Sequence, residues 1–509
     1  MSRGERRRLK TQKEREEKLR KQVCSVQIKH ERYEERNKKE PLPNRLNMAK
    51  SVEEELEDRQ NTVENVTFVY SQMLPSLLRK LNRIEDPRNP KKIKHKMTVL
   101  FIYGILMFVL NIGSRREANR TMNSILFENL KAMFPQLETM PHADTLARFL
   151  EKINVSEIQE CMVELVKDLI TKKKFKNYLY KKGYIIAIDG TQKFYRNWQW
   201  DDKCLQRNVG SETKTEQSYV YVLESILILG NGISLPLYSL FLSNEDWKKG
   251  ETKQDCERKA FYRLAEKLKK LFRNSRIILS IDGLYACGPV IKTCKKNNWD
   301  FMVVLKEDSL KTVWDDVLGL MKITPENRLK IKWGDRDQVY LWANDIDYEY
   351  KEDKRMRNLK LNVVICYETW QENHSVSTGE VERKQTRYAW ISSKPLNKSN
   401  VFERCTKIGR YRWKIENNIL TEKHQGYNYE HCYSYTWNAM EGYHYLMKIG
   451  HLLNILAANS ELLINKVKAL GIRGFIEFLK LACSGALLDG GRIRKAADRK
   501  GQWRLVPVI

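Results

Sequence analysis

Apolar residues follow two different spacings along this chain, and the change between them comes near residue 184. In residues 51–82 they recur every three or four positions, which is the period of an amphipathic helix. Residues 98–113, TVLFIYGILMFVLNIG, are almost uninterrupted in their apolar character. This run is shorter than the roughly 20 residues that a membrane-spanning helix needs, so we predict a buried core helix rather than a membrane helix. The pattern as a whole predicts an all-helical region over 51–174.

From residue 184 onward, short runs of β-branched and aromatic residues alternate with polar or glycine-containing turns. Such runs are typical of strands. We predict strands at 184–188, 219–229, 233–242, 276–281 and 301–306, with helices at 251–272 and 288–297. Three meandering strands followed by strands that alternate with helices predict a mixed α/β fold.

A β-rich stretch interrupts this pattern before helical periodicity returns near residue 400. Residues 327–393 read as alternating strands joined by charged turns, which predicts an insertion within the α/β core. The predicted domains are a basic arm at 1–50 that is helical or disordered, a helical domain at 51–174, the α/β core at 175–326 and 394–460, the β-rich insertion at 327–393, and a helical and basic C-terminal tail at 461–509.

The net charge of the chain indicates which class of molecule it binds. There are 92 Lys and Arg against 64 Asp and Glu, a net charge of +28, and residues 1–50 alone contribute 17 basic and 8 acidic residues. A protein this basic is expected to bind a polyanion, with nucleic acid as the default candidate. The helical domain at 51–174 is the predicted DNA-binding domain. The ten cysteines contain no Cys-x2-Cys pair. That spacing argues against a zinc ribbon and a disulfide framework, and favours reduced thiols in the cytosol.

Two aspartates stand at the ends of predicted strands. The runs YIIAIDG and RIILSIDG both end in Ile-Asp-Gly and contain Asp189 and Asp282. Asp-Gly is also an ordinary turn signal, so each aspartate taken alone has a purely structural interpretation. If the two strands are adjacent, both carboxylates leave the sheet at the same edge.

A third acid lies in the segment GRYRWKIENNILTEKHQG. Arg412, Glu416 and Lys423 are spaced so that they share one face of a helix. An exposed salt-bridged helix is the alternative interpretation. Together with Asp189 and Asp282, however, Glu416 completes a set of carboxylates able to hold two Mg²⁺ ions for in-line phosphodiester chemistry. The flanking Arg and Lys suit phosphate oxygens.

Two aromatic residues lie beside this charged stripe. Trp413 and Tyr411 could stack on unpaired bases at a cut DNA end. Packing of Trp413 between the helix and the sheet is an equally good interpretation.

These segments resemble the DDE insertion-sequence transposases of bacteria, in the group with a Y-x2-R-x3-E-x6-K signature. The signature reads GRYRWKIENNILTEK here, and Arg412, Glu416 and Lys423 match its R, E and K positions. The resemblance covers roughly residues 80–455. The segments that carry it besides the signature are DPRNPKKIKHK, PHADTLARFL, KQDCE, IDGLYA and HQGYNYEH.

The resemblance implies a ribonuclease-H-like catalytic core with a β-rich insertion before the glutamate. It implies that Asp189, Asp282 and Glu416 hold two Mg²⁺ ions, with Mn²⁺ as a substitute, while Arg412 and Lys423 contact DNA phosphates. It also implies a cytoplasmic, nucleoid-associated protein that is a homodimer in its DNA complex and has no membrane partner, while the oligomeric state without DNA stays open. Such a protein binds the terminal inverted repeats of its element in double-stranded DNA, cuts the strands and joins the 3′-OH ends to a target.

One position departs from the signature. Its tyrosine would fall at position 409, which is Gly409, and Tyr411 is out of register. In relatives that tyrosine handles the terminal phosphate in a hairpin route, so the route of second-strand cleavage stays open. Two other functions also stay open: a non-catalytic DNA-binding protein derived from a transposase, and a ribonuclease-H-like nuclease unconnected with transposition.

Overall fold

The computed structural model describes residues 51–210, 215–244, 254–373 and 381–506, with four positions between residues 11 and 17. Apart from those positions, the basic arm predicted at 1–50 lies outside the described residues. The chain forms two compact units. The larger contains the described residues of 49–328, 340–365 and 388–509, and the smaller contains 329–339, 366–373 and 381–387.

Residues 51–174 are helical. Ser51 begins the first helix by accepting a hydrogen bond from the Glu54 N–H at 3.2 Å, a standard N-cap. The helices are α1 (Val52–Ser71), α2 (Leu74–Leu81), α3 (Met97–Val109), α4 (Arg115–Thr121), α5 (Ser124–Met133), α6 (Ala143–Leu150) and α7 (Ser156–Thr171).

Helix α3 is the apolar run that we predict to be a core helix, and every residue from Val99 to Val109 is buried. Asn454, from a long helix near the C-terminus, donates to the Val109 carbonyl at 3.1 Å and accepts from the Tyr70 hydroxyl at 3.0 Å. Among the described residues, the length and hydropathy of every helix fall short of what crossing a membrane requires. The prediction of a core helix is confirmed.

The larger unit contains a mixed sheet. Its strands are β1 (Gly183–Arg196), β2 (Leu205–Val209), β3 (Thr215–Ile228), β4 (Ser234–Phe241), β5 (Arg276–Ile281) and β6 (Asp300–Val304). Strand β1 pairs antiparallel with β3 and parallel with β5, and β5 pairs parallel with β6. Strand β4 adds antiparallel to β3, which gives the local order β4-β3-β1-β5-β6. The predicted mixed α/β fold is confirmed.

Helices alternate with the later strands and complete the chain. They are α8 (Glu257–Leu271), α9 (Gly288–Lys296), α10 (Lys311–Ile323), α11 (Val401–Lys407), α12 (Trp413–His424), α13 (Trp437–Ala458), α14 (Ile464–Gly485) and α15 (Gly490–Ala497). The helical region over 51–174 belongs to the same compact unit as the α/β segment. Asn454 of α13 bonds to both α1 and α3. The domain boundary near residue 174 stays a prediction.

The smaller unit is formed by parts of four consecutive strands. These are β7 (Arg328–Trp333), β8 (Arg336–Glu352), β9 (Arg355–Asn373) and β10 (Val381–Ser392), in the order β10-β9-β8-β7. Inside it, the buried Glu368 carboxylate accepts from Arg336 at 2.9 Å and also from Gln338. These strands lie within the β-rich segment that we predict at 327–393. Strands β8 and β9 are long and contribute residues to both units, so the limits of that segment remain a prediction.

Candidate active site

Asp189 and Asp282 lie side by side at one edge of the parallel part of the sheet. Ile188 of β1 is paired with Ile281 of β5, and each aspartate is the next residue in its chain segment. Because parallel strands end at the same edge, the two apolar runs deliver both carboxylates to the same place.

A glycine follows each aspartate, and each glycine leaves room for a further charged side chain to approach the site. A Cβ added to Gly190 would lie 2.4 Å from Cδ of Glu257, and one added to Gly283 would lie 2.7 Å from Cγ of Lys306. The two glycines therefore have a role besides forming turns. Because they have no side chain, Glu257 and Lys306 can come closer to the aspartates than a side chain at either position would allow.

Glu416 reaches the same edge from helix α12. A short 3-10 turn, Gly409–Arg412, precedes this helix and is anchored where Ser280 of β5 donates to the Ile408 carbonyl at 2.7 Å. A Cβ on Gly409 would lie 2.9 Å from the Trp390 ring. Trp390 therefore leaves little space for a side chain at position 409, where the predicted signature would have a tyrosine.

The three acids converge on one guanidinium. Arg412 Nη2 lies 2.6 Å from Glu416 Oε1, Nη1 lies 3.6 Å from Asp189 Oδ2, and Nε lies 3.9 Å from Asp282 Oδ1. Lys306 Nζ adds a second cation, 2.9 Å from the other oxygen of Asp282. The arrangement is a carboxylate cluster neutralised by basic side chains.

The two aspartates titrate differently because their neighbours differ. Burial raises the pKa of Asp189 to about 6, against the opposing charge of Arg412 and with further upward contributions from Glu257 and Asp282. Burial acts upward on Asp282 as well, but the hydrogen bond from Lys306 and the nearby Arg412 leave its pKa below the ordinary value. Divergent values of this kind are frequent at functional sites.

Glu257 and Lys306 were missed as site residues by sequence reasoning. Glu257 accepts hydrogen bonds from the hydroxyls of Tyr221 at 2.6 Å and Tyr285 at 3.1 Å. It lies in the KQDCE segment that carries part of the resemblance, and that segment is the signal that could have found it. Lys306 follows β6, the next parallel strand, so it leaves the sheet at the same edge as the aspartates.

The other residues predicted to contact DNA are Lys423, Trp413 and Tyr411. Lys423 Nζ is 2.8 Å from Glu430 and 3.3 Å from the Gln192 carbonyl, further along β1. Trp413 is 51% exposed and stacks beneath the Arg412 guanidinium at 5.2 Å. The Tyr411 hydroxyl lies 3.4 Å from the Gly230 carbonyl. Gly230 follows the C-terminal end of β3, which is paired with the start of β1. The DNA-binding roles of all three remain predictions.

A buried charged network lies behind helix α12. Lys448 of α13 bonds to Glu422 at 2.6 Å and to Glu224 at 3.0 Å, and all three side chains are almost fully buried. His451 bonds to Glu422 at 2.8 Å. Burial opposes ionisation of both carboxyls, yet the Lys448 charge keeps the pKa of each below its ordinary value. This network fixes α12, and with it Glu416, against the sheet.

The site offers suitable ligands for a hard divalent cation. Asp189, Asp282 and Glu416 supply carboxylate oxygens, the donor type that Mg²⁺ prefers, and all three lie within 4 Å of a single guanidinium. Across the described residues, no set of three His, Cys, Asp or Glu side chains is arranged to hold a metal ion. The three carboxylates suit Mg²⁺ in kind, and the Arg412 guanidinium lies among them.

Comparison with known proteins bears mainly on the helical region. Residues 78–166 match the family model described as DDE_Tnp_1-associated. The matched segment runs from α2 into α7, and its description links it to DDE transposases. It therefore supports the stated resemblance there, whereas the Y-R-E-K group and a bacterial insertion-sequence origin stay predictions.

One solved structure is similar over most of the chain. It is the cryo-EM structure of a piggyBac transposase synaptic complex with hairpin DNA, with 10% sequence identity over 86% of this chain and 82% of that one. The TM-score of 0.35 is too low to establish a shared fold. No curated protein matches this sequence.

Proposed function

We propose that this chain is a DDE-type transposase of an insertion sequence. The observation that carries the proposal is the convergence of Asp189, Asp282 and Glu416 at the ends of parallel strands, around one guanidinium. The DDE_Tnp_1-associated match over residues 78–166 supports it independently, because it lies outside the acid cluster. The order β4-β3-β1-β5-β6, antiparallel on one side of β1 and parallel on the other, supports a ribonuclease-H-like core.

The proposed reaction is a pair of in-line displacements at phosphorus. In the first, a water oxygen attacks the scissile phosphate, the bond to the 3′ oxygen breaks, and that oxygen takes a proton to become a 3′-OH. In the second, this 3′-OH attacks a target phosphate and displaces a 3′ oxygen there. Two bound Mg²⁺ ions, or Mn²⁺ in their place, would activate the attacking oxygen and stabilise the leaving one.

The chain's own residues would act as ligands and phosphate contacts. Asp189, Asp282 and Glu416 would hold the metal, and Asp189 must be ionised to do so. Arg412 would move from the carboxylates to phosphate oxygens of the DNA, to which its planar fork is suited. Lys306 lies beside Asp282 and could stabilise negative charge on the same phosphate.

The proposed partners are double-stranded DNA carrying the terminal inverted repeats, a target duplex and a second copy of the chain, in the cytoplasm at the nucleoid. The net charge of +28 supports the DNA partner.

The test is cleavage of a labelled duplex that carries the DNA ends flanking this gene, in the presence of Mg²⁺. We expect wild type to cut at the end junction, and alanine at Asp189, Asp282 or Glu416 to abolish cutting with little change in end binding. The matched control is Asp315→Ala, which removes an exposed carboxylate on α10. Tight, end-specific binding by wild type without any cutting would instead favour a non-catalytic DNA-binding protein.

A further inference from the structure

Two exposed aromatic side chains other than Trp413 and Tyr411 are in contact with each other. Trp198 and Tyr435 are 53% and 48% exposed, and their ring centroids lie 5.5 Å apart at 40°. Single exposed aromatics are common, but two in contact present a continuous apolar surface to water, which often marks a binding site.

The pair rests on a rigid base. The Trp200 ring lies 5.8 Å from Tyr435, and it also stacks on the buried rings of Phe194 at 5.7 Å and Trp437 at 5.8 Å. Phe194 and Trp437 belong to a buried core cluster. The exposed rings are therefore held in place before any ligand arrives, which lowers the entropic cost of binding.

A positive charge borders the rings. Arg196 Nε donates to the Tyr435 hydroxyl at 3.1 Å, and its guanidinium carbon lies 5.7 Å from the Tyr435 ring and 5.1 Å from that of Phe194. An arginine placed in this way can bind a phosphate while the adjacent ring binds a base.

A cavity of about 690 Å³ continues from Tyr435 towards helix α4. Arg115, Arg116 and Asn119 line it from the segment that matches the transposase-associated family model. Asp144 also lines it and is paired with Arg115 at 2.9 Å. Arg116 is exposed and has no ion-pair partner among the described residues, so its charge can act on an anionic ligand.

The strand register puts Arg196, which contacts Tyr435, on the same face of the sheet as Asp189 of the acid cluster. Three residues of β1, Asp189, Phe194 and Arg196, are paired with Glu224, Val220 and Ser218 of β3 respectively. The three β3 residues share one face of their strand, so their partners on β1 share that face as well. The segment from Asp189 to Arg196 spans about 20 Å of strand, the length of about six stacked nucleotides. One DNA strand could therefore reach both places.

We propose that Trp198, Tyr435 and Arg196 form a stacking site for an unpaired nucleotide of a DNA strand whose cleavage point lies at the acid cluster. The proposal rests on the proposed function, which supplies DNA as the partner. An unpaired base is favoured over duplex DNA because the bases of a duplex are already stacked, so their faces are closed to these rings. The basic residues Arg196 and Arg116 supply the charge that a strand backbone requires.

The test compares single-stranded and duplex DNA on otherwise intact protein. Binding of a labelled oligothymidylate of about 12 nucleotides is measured by fluorescence anisotropy, beside a duplex with the same number of phosphates. We expect Trp198→Ala or Tyr435→Ala to weaken binding of the single strand about tenfold and to change duplex binding less than about twofold. Trp198→Phe keeps an aromatic face and should restore most of the single-strand affinity.

Controls separate this site from general loss of DNA affinity. Trp333→Ala removes an exposed tryptophan in the smaller unit and should leave both affinities unchanged. Equal losses on single-stranded and duplex DNA, or no recovery in Trp198→Phe, would overturn the proposal. Neither binding measurement involves cleavage, so the two proposals can fail separately. A protein that shows the expected loss of single-strand binding but does not cut its ends would contradict the transposase function and still support the stacking site.

A second readout does not depend on the variants folding. Wild-type protein is irradiated with a single strand that carries 5-iodouracil, and the crosslinked peptides are identified by mass spectrometry. We expect crosslinks to Trp198 or Tyr435. Crosslinks confined to Trp413 and Tyr411 would assign base stacking to the other aromatic pair and contradict the proposal.

Discussion

Arg412 lies among the three carboxylates that we propose as metal ligands. Its guanidinium contacts Glu416 at 2.6 Å and stands within 4 Å of Asp189 and Asp282. In that position it compensates charges that would otherwise repel one another in a partly buried pocket. The same charge competes with a divalent cation, so the protein without DNA is expected to bind metal weakly.

Replacing this residue should therefore raise metal affinity in the absence of DNA. We expect Arg412→Gln to tighten Mn²⁺ binding by DNA-free protein at least about tenfold, because a cation within about 4 Å of the ligands is removed. Electron paramagnetic resonance of free Mn²⁺ measures this without any reaction. The control is Arg410→Gln, whose guanidinium lies 4.6 Å from the Tyr388 ring. Unchanged or weaker Mn²⁺ binding in Arg412→Gln would show that Arg412 does not compete with metal.

The sequence could predict which acids meet but not how the site is neutralised. Asp189 and Asp282 follow from strand runs that end alike, and Glu416 follows from helical spacing. The inward position of Arg412 depends on the turn at Gly409, which packs against a tryptophan of a distant strand. Lys306 could not be assigned, and the KQDCE segment marks Glu257 without placing it at the site, because the approach of both depends on strand order and on the space left by two glycines.

At the level of elements, buried charges join strands and helices of the core. Asp300, the first residue of β6, accepts from Arg404 of α11 at 2.9 Å and from Arg276 of β5 at 2.7 Å. Hydrophobic periodicity gives no sign of such bonds, because they join elements that are distant in sequence. The same is true of Glu224, whose partner Lys448 lies on α13.

The bonds of Asp300 with Arg404 and Arg276 should make the free energy of unfolding depend on pH in the acid range. Burial opposes ionisation, but Arg404 and the other donors lower the pKa of Asp300 to about 2, below the value of about 3.9 in an unfolded chain. The unfolded chain therefore binds more protons between those values. The stabilisation is complete above about pH 4 and is lost as pH falls towards 2.

We expect Asp300→Asn to lower the free energy of unfolding by about 3 kcal/mol near neutral pH, since Arg404 is left buried without its counter-charge. The difference from wild type should shrink as pH falls below about 4. Denaturant unfolding at several pH values measures both effects. Asp308→Asn, an exposed carboxylate shortly after the same strand, should match wild type throughout. A loss in Asp300→Asn that does not change with pH would show that the ion pair is not its cause.

At the scale of the whole molecule, basic residues in excess of acidic ones and basic residues paired with acidic ones have different consequences for DNA binding. Residues 1–50 carry 17 basic against 8 acidic residues, and without them the chain would keep a net charge of +19. The basic C-terminal segment is partly neutralised by contrast, because Arg492 bonds to Glu57 at 2.8 Å and to Glu64 at 2.7 Å. A cation already paired within the protein must give up that partner before it can neutralise a DNA phosphate and release counterions.

Removal of residues 1–50 should therefore weaken non-specific duplex binding and flatten its dependence on salt. The slope of log K against log salt concentration should become shallower by about 0.9 for each DNA phosphate that the shortened protein no longer neutralises. Arg492→Gln should leave that slope unchanged, because its charge is already paired within the protein. Titration of a duplex unrelated to the element, at several salt concentrations, compares the two variants directly. If both flatten the slope equally, pairing in the folded protein does not decide which basic residues bind DNA.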